Sequence, residues 1–361
     1  MQQLTGRERI SRIIRHEGVD RIGLYEHFWG DTQKKWIREG HLKEGESVDD
    51  HFNFDISECW ACGYIADPEF KNVVVEEDDE TILVRDGNGA LLRRHKCHNS
   101  TPEHVDFMVK DRTLWDEKIK AMLTPARNRI NFDAYRKARE KANAANRFFV
   151  HSGINVFEAM HPLCGHEHML MGMALDPDWI KDMADTYSEL MINLMEILFA
   201  EAGRPDGIWF YEDMGFKDRP FMSPEMYREL ILPGHKKTVA YAHSLGLPVI
   251  MHSCGYVAPF IPGIIEAGVD CLQVIEVKAG MDLLKIKREF GDNLALFGGF
   301  DARNLVANDI DAIDKELHEK IPVVMEGSGY ILHSDHSIPE QCEYGTYRHF
   351  VDEALRLGTY R

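Results

Sequence analysis

The feature that most constrains the fold of this chain is a rhythm. Short apolar, β-rich runs recur, and each is followed by a segment with helical patterning. Eight runs can be counted: Ile22–Phe28, Phe52–Ile56, Phe148–His151, Gly207–Tyr211, Pro248–His252, Val269–Ile275, Leu294–Phe297 and Tyr330–His333. Several are apolar almost throughout, as in strands covered on both faces. Of the helical segments, Pro177–Glu201 carries a periodic apolar face (Ile180, Met183, Ala184, Tyr187, Leu190, Met191, Leu194). Ser223–Leu245 opens with Ser-Pro-Glu, an N-cap before a first-turn proline, and stops at Gly246. Asp282–Phe290 and Ile310–Lys320 fill the later gaps. Alternating strands and helices imply a parallel sheet with right-handed crossovers. Eight such units close most simply into an α/β barrel, the (β/α)8 TIM type. An open doubly wound sheet is the alternative, but no Gly-rich phosphate loop follows the first strand.

One segment breaks the rhythm. Residues 71–96 place Asp-Gly-Asn-Gly between two β-prone runs, which predicts a β-hairpin inserted after the second strand. No linker or low-complexity tract interrupts the rest. The 361 residues, 44% of them apolar, suffice for one large core, so residues 1–361 are read as a single barrel domain. A net charge of −18 repels phosphate backbones and anionic bilayers, which argues against nucleic-acid or membrane partners. The charged N-terminal segment lacks an apolar core for export, and no run of about 20 apolar residues is present. Seven cysteines without a framework spacing fit free thiols in a reducing cytoplasm.

Active sites of such barrels lie at the C-terminal ends of the strands. The polar residues just past each predicted strand are therefore the candidates. They are Glu26, His27 and Trp29; His151, Ser152 and Asn155; Tyr211, Glu212 and Asp213; His252, Ser253 and Cys254; Glu276; Asp301; and His333, Asp335 and His336. The sharpest local feature is Val-Ile-Met-His252-Ser-Cys254-Gly255. An imidazole and a thiolate two residues apart, where a strand enters a loop, can turn toward one ion, and zinc favours such nitrogen and sulfur donors. A third ligand must come from elsewhere. His336 and His333 are the foremost candidates, with Glu276 or Asp213 behind them. In His333-Ser-Asp335-His336, a histidine can also serve as general acid or base near neutral pH. Glu212-Asp213 is a carboxylate pair of which one member faces the pocket. Glu26, His27, Trp29, His151, Asn155, Tyr211 and Asp301 are read as substrate-binding. Cys59-Trp-Ala-Cys62 lacks the second pair of a zinc ribbon and is read as structural, as is the Met169–Met173 stretch. His161, His166 and His168 form a further cluster, most simply at a helix start or surface.

These residues support a resemblance. The chain resembles the uroporphyrinogen decarboxylase superfamily over most of its length, best from Asp176 to Arg361. The resemblance rests on Gly246-Leu-Pro-Val-Ile-Met-His252-Ser-Cys254-Gly, on the stretch from Gly268 to Asp301, and on Gly329-Tyr-Ile-Leu-His333-Ser-Asp335-His336-Ser-Ile-Pro. It implies a distorted barrel with the site at the strand ends. The superfamily holds heme-pathway decarboxylases and zinc-dependent corrinoid methyltransferases. The decarboxylases' substrate-holding arginines have no counterpart past the first strand here, where Glu26 and His27 stand. Their second-strand aspartate motif is replaced by Ser57-Glu58-Cys59, and only His336 matches one of their site positions. The methyltransferase branch places two zinc ligands where His252 and Cys254 lie; its third ligand is a cysteine after the last strand, where His336 stands. The resemblance thus implies zinc on His252, Cys254 and His336, with His336, His333, Glu212, Asp213 and Glu276 as candidate catalytic groups. It implies methyl transfer between a methylated or methoxylated small molecule and a corrinoid carried on a partner protein, or a thiol or folate acceptor. A homodimer is compatible with this reading. The rivals are a decarboxylase or lyase for a small carboxylated substrate and a non-catalytic tetrapyrrole-binding protein.

Overall fold

A computed structural model describes residues 3–97 and 102–360. Its strands, in chain order, are β1 (Gly23–Leu24), β2 (Ile56–Trp60), β3 (Val73–Glu77), β4 (Thr81–Arg85), β5 (Leu91–His95), β6 (Glu103–Asp106), β7 (Phe148–Ile154), β8 (Gly207–Tyr211), β9 (Val249–Ser253), β10 (Cys271–Val274), β11 (Ala295–Gly298) and β12 (Tyr330–Leu332). Eight of them form one parallel sheet in the order β1-β12-β11-β10-β9-β8-β7-β2. This sheet curls into a distorted (β/α)8 barrel. The two end strands, β1 and β2, are joined through Asp55. Its backbone N–H donates to the Leu24 carbonyl at 2.9 Å, and its carboxylate accepts the Leu24 N–H at 2.9 Å. Arg9 and Arg21 hold the same carboxylate at 2.6 and 2.8 Å. A side chain thus satisfies backbone groups that a regular ladder would otherwise pair.

The helical segments begin where the caps predict. Ser223 accepts from Met226 N–H at 3.1 Å and Asp282 from Lys285 N–H at 3.0 Å. The run from 224 to 244 contains a π-turn at Tyr227–Ile231. The helices Pro177–Ala202 and Ile310–Val324 extend slightly past their predicted ends. The first strand is only Gly23–Leu24, shorter than the run Ile22–Phe28, and two further predicted elements differ. The second barrel strand lies at Ile56–Trp60, not Phe52–Ile56, because the polar pair Ser57-Glu58 continues the strand instead of ending it. The insertion is a four-stranded antiparallel sheet, β3-β4-β5-β6, rather than one hairpin. Its central turn is the Asp-Gly-Asn-Gly segment, where Asp86 accepts the N–H groups of Asn88 and Ala90, each at 2.9 Å. The sheet meets the helix Val156–Leu175 at Gly165, whose φ is 73°. A Cβ there would lie 2.4 Å from the Phe107 ring, so only glycine admits this contact.

Inside the barrel, side chains form layers. Tyr25, Trp209 and Phe297 make a buried aromatic floor, with centroids 5.6 Å apart for Tyr25–Trp209 and 5.2 Å for Trp209–Phe297. Strand alternation then lifts the residue two positions on into the next layer toward the mouth. That layer is polar.

Candidate active site

The mouth holds a cavity of about 290 Å³ lined by His27, Glu58, Trp60, Tyr211, His252, Cys254, Gln273, Val274, His333, Asp335, His336 and Ser337. Each wall follows from strand register. His27 and Tyr211 stand two residues beyond the floor residues Tyr25 and Trp209. Glu58 and Trp60 share the inward face of β2, and Gln273 pairs with His252 across β10 and β9.

One wall gathers donor atoms. The ligand atoms of Asp213, His252 and Cys254 all lie within 4.8 Å of one another. His252 Nε2 is 3.1 Å from Cys254 Sγ and 3.2 Å from Asp213 Oδ1. On its other side, His252 Nδ1 meets Gln273 Oε1. An amide oxygen only accepts, so Nδ1 donates to it, and Nε2 faces the cysteine and aspartate. The turn after β9 is anchored by carboxylates. Asp213 accepts Cys254 N–H at 2.9 Å, and Glu276 accepts Gly255 N–H at 2.6 Å. Burial opposes the charge on Asp213, but His252 brings its carboxyl down to about 2. Burial likewise opposes a charged His252, yet Cys254 and Asp213 outweigh it and hold its pKa well above the ordinary value. Burial raises the Cys254 thiol against the opposing pull of His252.

The opposite wall is a chain of contacting polar side chains. Glu26 and His333, both buried, lie 3.0 Å apart. His333 Nε2 is 2.9 Å from His27 Nδ1. His27 Nε2 reaches Glu58 Oε1 at 3.2 Å and the Tyr211 hydroxyl at 3.1 Å. Glu58 also accepts from Tyr211 and Ser152, at 3.2 and 2.9 Å. Burial pushes Glu58 up, but these partners, His27 first, bring it below the usual carboxylate range. Burial and the Glu58 charge push the Tyr211 phenol well above its ordinary value. The Tyr211 ring spans both walls, 4.8 Å from the His252 ring and 4.7 Å from Trp60.

The structure therefore sorts the predicted residues. His27, Tyr211, His252, Cys254, His333 and His336 line the cavity, and Asp213 joins the donor trio. His336 does not belong to that trio: Asp213 stands as the third group where the sequence pointed to His336. Glu26 lies behind His333. Glu276 and Asp335 pin loops, Asp335 accepting Val277 and Ala302 N–H at 2.9 and 2.8 Å. Trp29 lines a neighbouring cleft that shares Asp335, His336 and Ser337. Four further predicted site residues lie outside the cavity lining. Glu212 is fully buried, accepting Phe157 and Glu158 N–H at 2.8 and 2.9 Å and pairing with His235 at 2.6 Å. Asn155 caps the helix Val156–Leu175 and bonds Thr238. Asp301 caps the helix Ala302–Val306 and pairs with Arg303. His151 faces away from the cavity, packed against Tyr135 and Phe199 of the surrounding helices. Glu58, Trp60 and Gln273 were missed as site residues; counting every second residue along β2 and β10 would have found them. His161 and His166 stack at 4.5 Å within the helix Val156–Leu175, outside the cavity lining. All seven cysteines are free.

The uroporphyrinogen decarboxylase (URO-D) family profile matches residues 118–357. The chain belongs to the uroporphyrinogen decarboxylase family. A methylated-thiol–coenzyme M methyltransferase of Methanosarcina mazei is 24% identical over 146 residues, 40% of this chain and 37% of the relative. The match thus spans well under half the length of that relative. A solved structure of a methyltransferase from Methanosarcina mazei superposes with a TM-score of 0.65 at 16% identity, covering 98% of both chains. Both of these similar proteins carry methyltransferase names. No helix among the described residues is long and apolar enough to cross a membrane.

Proposed function

We propose that this family member is a zinc-assisted methyltransferase that moves a methyl group between a small methylated or methoxylated molecule and a corrinoid held by a partner protein. The observation that carries this reading is the donor trio of Asp213, His252 and Cys254 at the strand ends. One carboxylate oxygen, one imidazole nitrogen and one sulfur are a donor set that zinc takes readily, with room for a fourth group from the cavity. When bound there, zinc supplies Lewis acidity toward the methyl-bearing or methyl-accepting atom. The chain's own residues do the rest. Gln273 fixes the His252 tautomer. Asp213 and Glu276 hold the turn that presents Cys254. Trp60 and Tyr211 give flat walls for a small substrate. At about 290 Å³ the cavity suits a small molecule, so a corrinoid would meet it from outside the mouth.

The cavity lining contains no Arg or Lys. A carboxylated substrate would find Glu58 and Asp335 in the lining and no Arg or Lys to hold it, which disfavours the decarboxylase reading. The test is the metal content of the purified protein. We expect one zinc per chain, lost in Cys254→Ala and in Asp213→Asn. Zinc-free protein after purification with zinc present, or full zinc retention in both variants, overturns the proposal.

A further inference from the structure

The two edges of the inserted sheet are finished differently. β6 carries charge at Glu103 and Asp106 and lies against the helix Val156–Leu175. There the Phe107 ring abuts Gly165, and the His104 ring stands 6.0 Å from that of His161. β3 forms the other edge and pairs only with β4. Val73, Val74 and Val75 run through it at 51, 51 and 50% exposure. Neighbouring strand residues point to opposite faces, so three consecutive half-exposed valines leave both faces of β3 open. Edge strands are usually protected by a charged side chain, a proline or a covering element. The valine run has only a bulge at Val75, which the register skips between the pairs Val74–Val84 and Glu76–Leu83. A bulge twists the strand but leaves its apolar run beside unpaired backbone groups, the form of an edge that accepts another strand.

We infer that β3 pairs with β3 of a second copy of this chain, joining two four-stranded inserted sheets into one across a twofold axis. Identical edges related by such an axis exchange N–H and C=O groups when the strands run antiparallel. One register, centred on Val74, sets the valines against one another, Val73 opposite Val75 and Val74 opposite Val74. The same register sets Lys71 of each copy opposite Glu77 of the other, at both ends of the run. Lys71 is exposed and has no carboxylate partner in its own chain among the described residues. Glu77 holds Lys96 at 2.7 Å and keeps acceptor capacity for a second cation. A register centred on Val75 instead sets Val73 against Glu77 and Val74 against Glu76, which leaves two valines of each copy facing charge. Apolar matching and charge matching thus select the same pairing. β3 contributes nothing to the cavity lining, so this association is independent of the methyl-transfer reading.

The test is the mass of the full chain in solution, by light scattering and sedimentation. A pairing of five residues a side is a small interface, so a dimer should form and dissociate on dilution between about 100 and about 1 µM. Val74→Lys sets two lysines together on the axis and should leave monomer throughout. Lys71→Glu and Glu77→Lys each set like charges together at both ends of the run, and each should raise the dissociation constant about 10-fold. The double variant Lys71→Glu/Glu77→Lys should return it to the wild-type value. The decisive sample mixes the two single variants, whose charges complement one another only in the mixed pair. That mixture should dimerise more tightly than either variant alone. A wild-type chain that is monomeric at about 100 µM overturns the inference. So does a dimer that all three single substitutions leave unchanged, or a mixture no tighter than its components. Assembly beyond the dimer overturns it too, because paired β3 strands leave no free copy of that edge.

Discussion

The two walls of the cavity are built by different means. On the β8–β10 side, the trio is fixed by contacts to the backbone and to an amide: Asp213 accepts the Cys254 N–H, Glu276 accepts the Gly255 N–H, and Gln273 meets His252. On the β1, β2 and β12 side, Glu26, His333, His27 and Glu58 contact one another, with Tyr211 of β8 reaching across, and each of these side chains is an ionisable type. A rigid wall suits a cation, which needs its donors converged before it arrives. A titratable wall suits proton movement, which needs partners that change state. Under the proposed function, the difference means that the two walls of one small mouth would serve different tasks according to the support behind each side chain.

The largest effect expected of breaking this contrast is at Cys254. Cys254→Ala should abolish zinc binding and cut transfer by about 10³-fold, the several kcal/mol a catalytic metal provides. Glu58→Gln should leave zinc stoichiometry at the wild-type value while slowing transfer. Metal analysis and rates on the same samples check both. Loss of zinc in Glu58→Gln would show that the walls are not independent.

Next in size is a residue outside both walls. His151 is buried between β7 and the helices, and burial lowers its pKa to about 4. The folded state therefore binds this proton less readily than the unfolded state, whose ordinary value is about 6.5. Its neutral form is fully tolerated above that value, and stability falls as pH drops from about 6.5 to about 4, by about 3 kcal/mol. Denaturant titrations should show a shallower acid limb for His151→Phe than for the wild type over that window. Identical limbs would mean that water reaches the ring. Transfer activity at neutral pH should change little, because His151 does not touch the cavity.

Gln273 sharpens the contrast further. Gln273→Leu removes the group that orders His252 but leaves the trio itself, so zinc affinity should fall about 10- to 100-fold. Competition with a chelator measures it. An unchanged affinity would place the His252 tautomer under other control.

How much of this was legible beforehand depends on the kind of signal. The barrel was readable because its parallel strands are apolar on both faces, as in Val249–Met251 and Leu294–Phe297. The second strand was misplaced because its inward face bears Glu58 and Trp60, which look like the end of an apolar run. Residues just past a strand are ambiguous for a physical reason. The same position that aims a side chain into the mouth also precedes the next helix, and that helix needs a cap. Asn155 and Asp301 spend their polar atoms on caps, and Glu212 fills the same need for the helix Val156–Leu175. His151 is one residue out of phase with Ser152, which does face Glu58. The third member of the trio was hidden for a related reason. Asp213 and His336 both follow strands, and only the fold shows which one approaches His252.

That choice yields the smallest expected effect and the most pointed one. His336 follows β12 on a loop pinned independently of its ring, with Asp335 bound to Val277 and Ala302 and its own N–H to Phe300 at 2.7 Å. Removing the imidazole therefore leaves the loop in place. The ligand atoms of Asp213, His252 and Cys254 converge without it. Zinc affinity in His336→Ala should stay within about twofold of wild type, the scatter expected for sites without shared partners. Transfer should fall more than zinc binding does, since the ring lines the cavity that receives substrate. A parallel loss of zinc and activity would instead make His336 a ligand and return Asp213 to a supporting role beside Cys254. Chelator competition on His336→Ala and Asp213→Asn, run side by side, separates these two arrangements because each predicts the opposite order of affinities.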